Sequence, residues 1–285
     1  MNLRSAVHRV HERVVSYLIR VVTWRSIGAT MCAMTEQEQY DAVAEDYDRL
    51  IRPRYDAIAA LVVDRVREVT DVASAHVVEL AAGTGALTHQ LAPLARDYTA
   101  TDISQPMLAV ARRRDVPGCE RVTWLRGDVL DLPLETASAD VVVSSLGPLQ
   151  DSEEALGEAR RVLRRGGHLV AVTWGDDYRE LELLRETRQR LGLPPRATLN
   201  AEELAARVTG TGFRAATVRD VRMPVVHDSL AAYVAYRGAF GPIPDLVTAD
   251  PDATVRALSE SAAAYVDEGG RVVLDWQLLV VSAER

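Results

Sequence analysis

Val77-Val78-Glu79-Leu80-Ala81-Ala82-Gly83-Thr84-Gly85 decides how this chain is read. The first five residues are apolar apart from one acid and suit a buried strand. The glycines suit a tight turn, and Ala86 to Leu94 has helical character. Glycine lets the backbone turn sharply and lets a ligand approach without a Cβ in the way. The following helix start offers free N–H groups. Strand, Gly-x-Gly turn and helix together form a cradle for a nucleotide cofactor, and the surrounding residues decide which one.

A dinucleotide fingerprint is Gly-x-Gly-x-x-Gly, with the pyrophosphate on the helix N-terminus. Here Thr88 stands at the third glycine position, and Glu79 precedes Gly83 on the strand. A carboxylate there repels a pyrophosphate and suits a cation. S-adenosylmethionine (SAM), with its ammonium and sulfonium, fits that sign better than NAD does. Asp102 lies about 20 residues beyond Gly83, a spacing suited to a ribose-binding carboxylate at the next strand end.

Glu79-Leu80-Ala81-Ala82-Gly83-Thr84-Gly85 resembles motif I of the class I SAM-dependent methyltransferases. Tyr98-Thr99-Ala100-Thr101-Asp102 is similar to the family's second strand and its ribose-binding acid. Ile103 to Leu108, including Met107, is similar to the helix opening that follows. Gly127-Asp128-Val129 resembles the adenine-binding turn after strand three. Asp140 to Ser145 resembles strand four, and Arg161 to Val170 resembles the Gly-Gly turn into strand five. The one departure in motif I is Ala81, where the family often has Gly. The helix with Tyr40-Asp41 and Tyr47-Asp48 is similar to the entry helix that closes over SAM. The resemblance thus implies cofactor contacts from Tyr40, Tyr47, Glu79, Ala81, Gly83, Thr84, Gly85, Asp102, Ile103, Met107, Asp128, Val129 and Ser145.

Composition narrows the class. The chain of 285 residues has a hydrophobic content of 48%. That is ample for one large domain or a domain with a sub-domain. A net charge of −8 speaks against a general nucleic-acid binder. Lysine is absent, so every fixed side-chain cation is arginine. Cys32 and Cys119 form no framework, which makes a reducing cytoplasm the default. No His/Cys spacing suggests a metal. Residues 1–34 are arginine-rich, and their apolar run from Val14 to Trp24 is broken by Arg20. That is too short for a membrane span. The segment reads as an extension outside the fold, or upstream of a true start at Met34, with a membrane-surface amphipathic helix as the alternative.

Residues 35–285 read as one methyltransferase domain. Helices at Glu36 to Ile51 and Asp56 to Val69 precede an alternation: strand 77–81, helix 85–95, strand 97–102, helix 105–113, strands 122–126 and 139–145, helix 152–165, strand 167–174. That pattern implies an α/β fold with a parallel sheet covered on both faces. Asp151 or Ser152 can cap the helix at 152, and Gly166 can end it. Further helices fall at Tyr178 to Leu191, Ala201 to Val208, Asp228 to Gly238 and Thr254 to Glu268, with a Pro/Gly loop at Gly241 to Pro244. The last two strands span Phe213 to Val226 and Val272 to Ala283. Together with the family resemblance, this implies a Rossmann-like, doubly wound, seven-stranded sheet with its last strand antiparallel. A helical cap, roughly 176–212 and 227–270, is expected over the cofactor cleft.

Trp174, Tyr233 and Tyr236 are candidates to line an acceptor site, because aromatic rings stack on aromatic or cationic groups. His227 is the candidate base, since an imidazole takes a proton near neutral pH. The expected function is methyl transfer from SAM to a small-molecule oxygen or nitrogen. The alternatives are a SAM-binding cyclase or scaffold without methyl transfer, an NAD-dependent oxidoreductase, and a membrane-associated protein acting through residues 1–34. The oligomeric state stays open, a homodimer included.

Overall fold

The structure, a computed structural model, describes residues 35–150, 152–195, 197–239, 246 and 251–285. The N-terminal extension, Asp151 and the Gly241 to Pro244 loop lie outside the described residues. These fall into two compact units. The helical unit takes 35–43, Asp176–Thr198 and Arg222–Gln277, and the sheet unit takes Ala44–Gly175, Leu199–Val221 and Leu278–Arg285. Residues 199–212, expected in the cap, therefore belong with the sheet.

The strands are β1 (His76–Leu80), β2 (Asp97–Asp102), β3 (Thr123–Arg126), β4 (Ala139–Ser145), β5 (Leu163–Trp174), β6 (Arg214–His227) and β7 (Val272–Glu284). They form one sheet in the order β3-β2-β1-β4-β5-β7-β6. The pairs from β3 across to β5 are parallel, and β7 runs antiparallel to β5. The chain builds outward from β1 to β3, then returns to place β4 on the other side of β1. Such a reversal opens a crevice at the carboxyl ends of the strands.

Side-chain alternation explains how both faces are filled. Val78, Leu80, Val142, Leu169 and Ala171 share a core with Leu156, Ala159 and Val162 of α5 (Glu153–Val162), and with Leu204 and Val208 of α7 (Ala201–Gly210). Val77, Val141, Val143, Val170 and Val172 are their buried in-between neighbours. They point to the opposite face. A second helix packed on β4 and β5 is α2 (Arg52–Val69), which buries Tyr55, Ile58, Ala59, Val62, Val63 and Val66.

Helix ends follow local chemistry. Helix α1 spans Glu36–Leu50, and α2 starts earlier than Asp56 because Pro53 suits a first helical turn. The expected helix 85–95 shrinks to α3 (Thr88–Leu91) and a 3-10 turn, Ala92–Leu94. Gly85 holds a φ of +84°, which no helix accepts. Helix α4 spans Gln105–Arg112, with the Ser104 side chain accepting from the Met107 N–H, a standard N-terminal cap. Ser152 caps α5 in the same way. That helix ends at Val162 rather than at Gly166, because Leu163 is already extended and paired with Ala139. Asn200 and Glu203 close a capping box on α7, which satisfies two amides at once.

The helical unit contains α6 (Arg179–Arg190), α8 (Leu230–Ala239) and α9 (Pro251–Ala262). Arg190 pairs with Glu260 at 2.8 Å and ties α6 to α9. Buried Glu180 accepts from the Trp276 indole and pairs with Arg237 at 3.4 Å. No described helix is long and apolar enough to cross a membrane.

The core is tested by urea denaturation of two truncations. Leu156 is only 2% exposed and Leu130 is 51% exposed. Leu156→Ala is expected to cost about 3 kcal/mol. Leu130→Ala is expected to cost about 0.5 kcal/mol or less.

Candidate functional site

The crevice is built by the loops that leave β1, β2, β3 and β4. After β1 the chain turns through Ala81, Gly83 and Gly85, all with positive φ (55°, 54° and 84°). Ala81 carries a Cβ in a conformation that favours glycine, at a cost of about 1 kcal/mol. The Ala82 N–H donates to the Thr101 carbonyl at 2.9 Å, so the turn leans on β2.

Asp102 locks the arrangement. Its Oδ2 accepts from the Gly83 N–H at 2.7 Å, and its Oδ1 accepts from the Ser104 N–H at 2.8 Å. Its carbonyl accepts from the Gly127 N–H at 3.0 Å, which fixes the start of the Gly127-Asp128-Val129 turn. Ile103 and Met107 follow directly, Met107 buried at the first turn of α4. Asp128 is exposed and accepts from the Leu130 N–H at 2.9 Å, and Val129 packs partly against the core. On the other side of β1, Ser144 Oγ donates to the Leu80 carbonyl at 3.0 Å, and half-buried Ser145 ends β4.

Glu79 is 1% exposed. Its Oε2 accepts from the Thr88 hydroxyl and from the Tyr98 hydroxyl, the latter at 2.7 Å. Burial lifts its pKa to about 7 against those two bonds, and nearby Asp102 pushes the same way. Both effects disfavour the charged form. Thr88 therefore has a physical reason to replace the third glycine: it is fully buried and supplies a donor to the acid. The His89 ring lies against the turn. A Cβ at Gly85 would lie 2.7 Å from its ring. Its Nε2 lies 3.1 Å from the Ala111 carbonyl, and burial, then Arg52, lowers its pKa to about 4.

At the end of β5, Trp174 lies 6.5 Å (ring centroids) from Tyr55, which meets Tyr47 edge-on at 6.0 Å. These rings belong to the sheet unit with the turn, Asp102 and Asp128. Tyr40, 41% exposed on α1, and buried His227, Tyr233 and Tyr236 belong to the helical unit. There the His227 ring packs edge-on to Tyr233 at 5.0 Å and tilted to Tyr236 at 4.9 Å. Sequence reasoning does not place Thr88, Tyr98, Ser104, Tyr55 or His89 in the site. Two of them carry a signal: Thr88 as the residue at the third fingerprint position of the turn, and Ser104 as a capping residue before Pro106 at the head of a helix.

The family described as "Methyltransferase domain" matches residues 77–167, which run from β1 into β5. The demethylmenaquinone methyltransferase of Thermobifida fusca is 31% identical over 165 residues, 54% of this chain and 68% of that protein. The chain belongs to the class I SAM-dependent methyltransferases. The demethylmenaquinone methyltransferase of Clavibacter sepedonicus is 36% identical over 136 residues, 46% of this chain. The chain spans 54% of that relative and 61% of a similar one from Thermus thermophilus. Among solved structures, the YcgJ protein of Bacillus subtilis superposes with a TM-score of 0.60 at 16% identity, covering 80% of this chain and 98% of that one. That likeness concerns the fold.

The residues present suit the family's cofactor. Thr84 Oγ1 is buried in the turn with no hydrogen-bond partner among the described residues. A polar ligand satisfies such an orphan. A Cβ at Gly83 would meet nothing within 4 Å, so the turn is open to a ligand on that side. The two glycines should therefore respond differently to alanine. Gly85→Ala collides with His89 and is expected to lower stability by about 2 kcal/mol. Gly83→Ala is expected to cost only about 1 kcal/mol of stability but to weaken SAM at least about tenfold. Urea melts and calorimetric titration of both variants check this.

Proposed function

We propose that this protein transfers a methyl group from SAM to a small organic acceptor. The observation that carries the reading is the Asp102 carboxylate, joined to the Gly83 turn on one side and the head of α4 on the other. Asp102 would take the ribose hydroxyls, Asp128 the adenine amino group, and the Gly83-Thr84-Gly85 turn the amino-acid end. Sheet order supports the direction of the bound cofactor. From β3 through β2 and β1 to β4 and β5, the carboxyl ends carry Asp128, Asp102, the glycine turn, Ser145 and Trp174. The methyl end would then face the β4–β5 side, and Trp174 with Tyr47 would form a wall for the acceptor.

SAM supplies a methyl group on a sulfonium that is already a strong electrophile. The chain's task is to hold the acceptor lone pair in line with the methyl–sulfur bond and to exclude water. Orientation of two bound reactants alone contributes on the order of 7–11 kcal/mol in favourable cases. An amine that is already neutral needs no base, and a hydroxyl acceptor would gain from one. We favour an oxygen or nitrogen acceptor. Carbon is the second reading, because similar proteins carry the name "Ubiquinone/menaquinone biosynthesis C-methyltransferase", one of them 34% identical over 156 residues.

Incubation with methyl-labelled SAM and a panel of phenols, amines and demethylated quinones tests this. S-adenosylhomocysteine should accumulate only with an acceptor present, with the label on that acceptor. Mass fragmentation of the product tells oxygen, nitrogen and carbon apart. Tight SAM binding without any acceptor-dependent S-adenosylhomocysteine would point instead to a SAM-binding cyclase or scaffold.

A further inference from the structure

Glu79 does more than shape the turn. The groups facing it are the Thr88 hydroxyl from α3, the Tyr98 hydroxyl and the Asp102 carboxylate from β2, and Cys119 from the loop before β3. None of these is a cation. A buried carboxylate beside a second carboxylate, with only hydroxyl donors, resists ionising. Its pKa of about 7 agrees with that. Yet both donors converge on the same oxygen, Oε2. The anion is therefore cradled as soon as it forms.

We propose that Glu79 carries a proton in the free protein and releases it to solvent when a cationic cofactor binds at the turn, its carboxylate then balancing the cofactor's positive charge. Burial keeps the acid neutral beforehand, and the Asp102 carboxylate beside it adds to that effect. The proposal rests on the reading of SAM as the cofactor. The balance of the step is simple: one O–H bond of Glu79 breaks, the proton passes to water or buffer, and no other covalent bond changes.

The sign follows from the chemistry. A cation beside a carboxylic acid favours its ionised form, so the acid titrates lower in the complex than in the free protein. Binding then releases protons at pH values between those two pKa values. SAM affinity should rise with pH by up to about tenfold per unit within that window and level off above about pH 7. S-adenosylmethionine, with ammonium and sulfonium, should release the most, and 5′-methylthioadenosine, with neither, should release none.

Calorimetric titration with SAM at about pH 6.5, in two buffers of different ionisation enthalpy, counts the protons directly. The expected result is a clear fraction of a proton released by the wild type and none by Glu79→Gln. Tyr98→Phe is the second variant. Losing a donor to the anion raises the Glu79 pKa, so this variant should still release protons at about pH 7.5, where the wild type releases few. SAM binding by the wild type with buffer-independent heat, or equal release by wild type and Glu79→Gln, overturns the proposal and leaves the cofactor reading intact. Equal release by wild type and Tyr98→Phe at the higher pH also overturns it. Failure of the wild type to bind SAM at all overturns the cofactor reading itself.

Discussion

Asp102, through its carboxylate and its backbone carbonyl, joins three pieces of chain that would otherwise be separate loops. It takes the Gly83 amide from the turn after β1 and the Ser104 amide from the head of α4, while its own carbonyl holds Gly127 after β3. Charge-assisted bonds of this kind are stronger than neutral ones and are worth most where water is excluded. Asp102 is buried, so the constraint is firm. The crevice opened by the reversal of strand order thereby gains a fixed floor, and the groups on it are placed relative to one acid.

Glu79, one strand away, works against this order. It is a buried acid on an interior strand beside a second carboxylate, a setting that disfavours its ionised form. Thr88 and Tyr98 offset part of that cost, and the Thr88 bond explains why a hydroxyl stands where a dinucleotide turn has glycine. Ala81 adds a second local strain, a positive φ carried by a residue with a Cβ. Strained backbone next to a buried acid with a shifted pKa is common where a ligand is to be bound, because the surrounding sheet holds what the turn would not adopt alone.

Much of this is legible in the sequence because each step has a periodic or local cause. The run Val77–Leu80, apolar but for Glu79, the glycines and the acid at 102 give strand, turn and strand end without reference to distant residues. The antiparallel last strand follows from the family resemblance and is seen in the pairing of Trp174 with Leu278. The helix after the turn is shorter than its composition suggests, because Gly85 and Pro93 act over a few residues and override it. The early start of β5 escapes sequence reasoning because Leu163 pairs with Ala139, a tertiary contact that composition does not announce. The partners of Glu79 are hidden for the same reason. Nothing in a β-strand tyrosine at 98 or a helix-start threonine at 88 reveals that both reach one oxygen. Position along the chain alone suggests the cap for residues 199–212, whereas Leu204, Val208 and Phe213 are apolar residues that complete the core of the sheet unit.

The central claim is that Asp102 and the glycine turn form a site for SAM. The most direct measurement is calorimetric titration of wild type and Asp102→Asn with S-adenosylhomocysteine and with NAD. The account predicts micromolar or tighter binding of S-adenosylhomocysteine by the wild type, at least about tenfold weaker binding by the variant, and no binding of NAD. Binding of NAD by the wild type, or equal affinity of both proteins for S-adenosylhomocysteine, would contradict it.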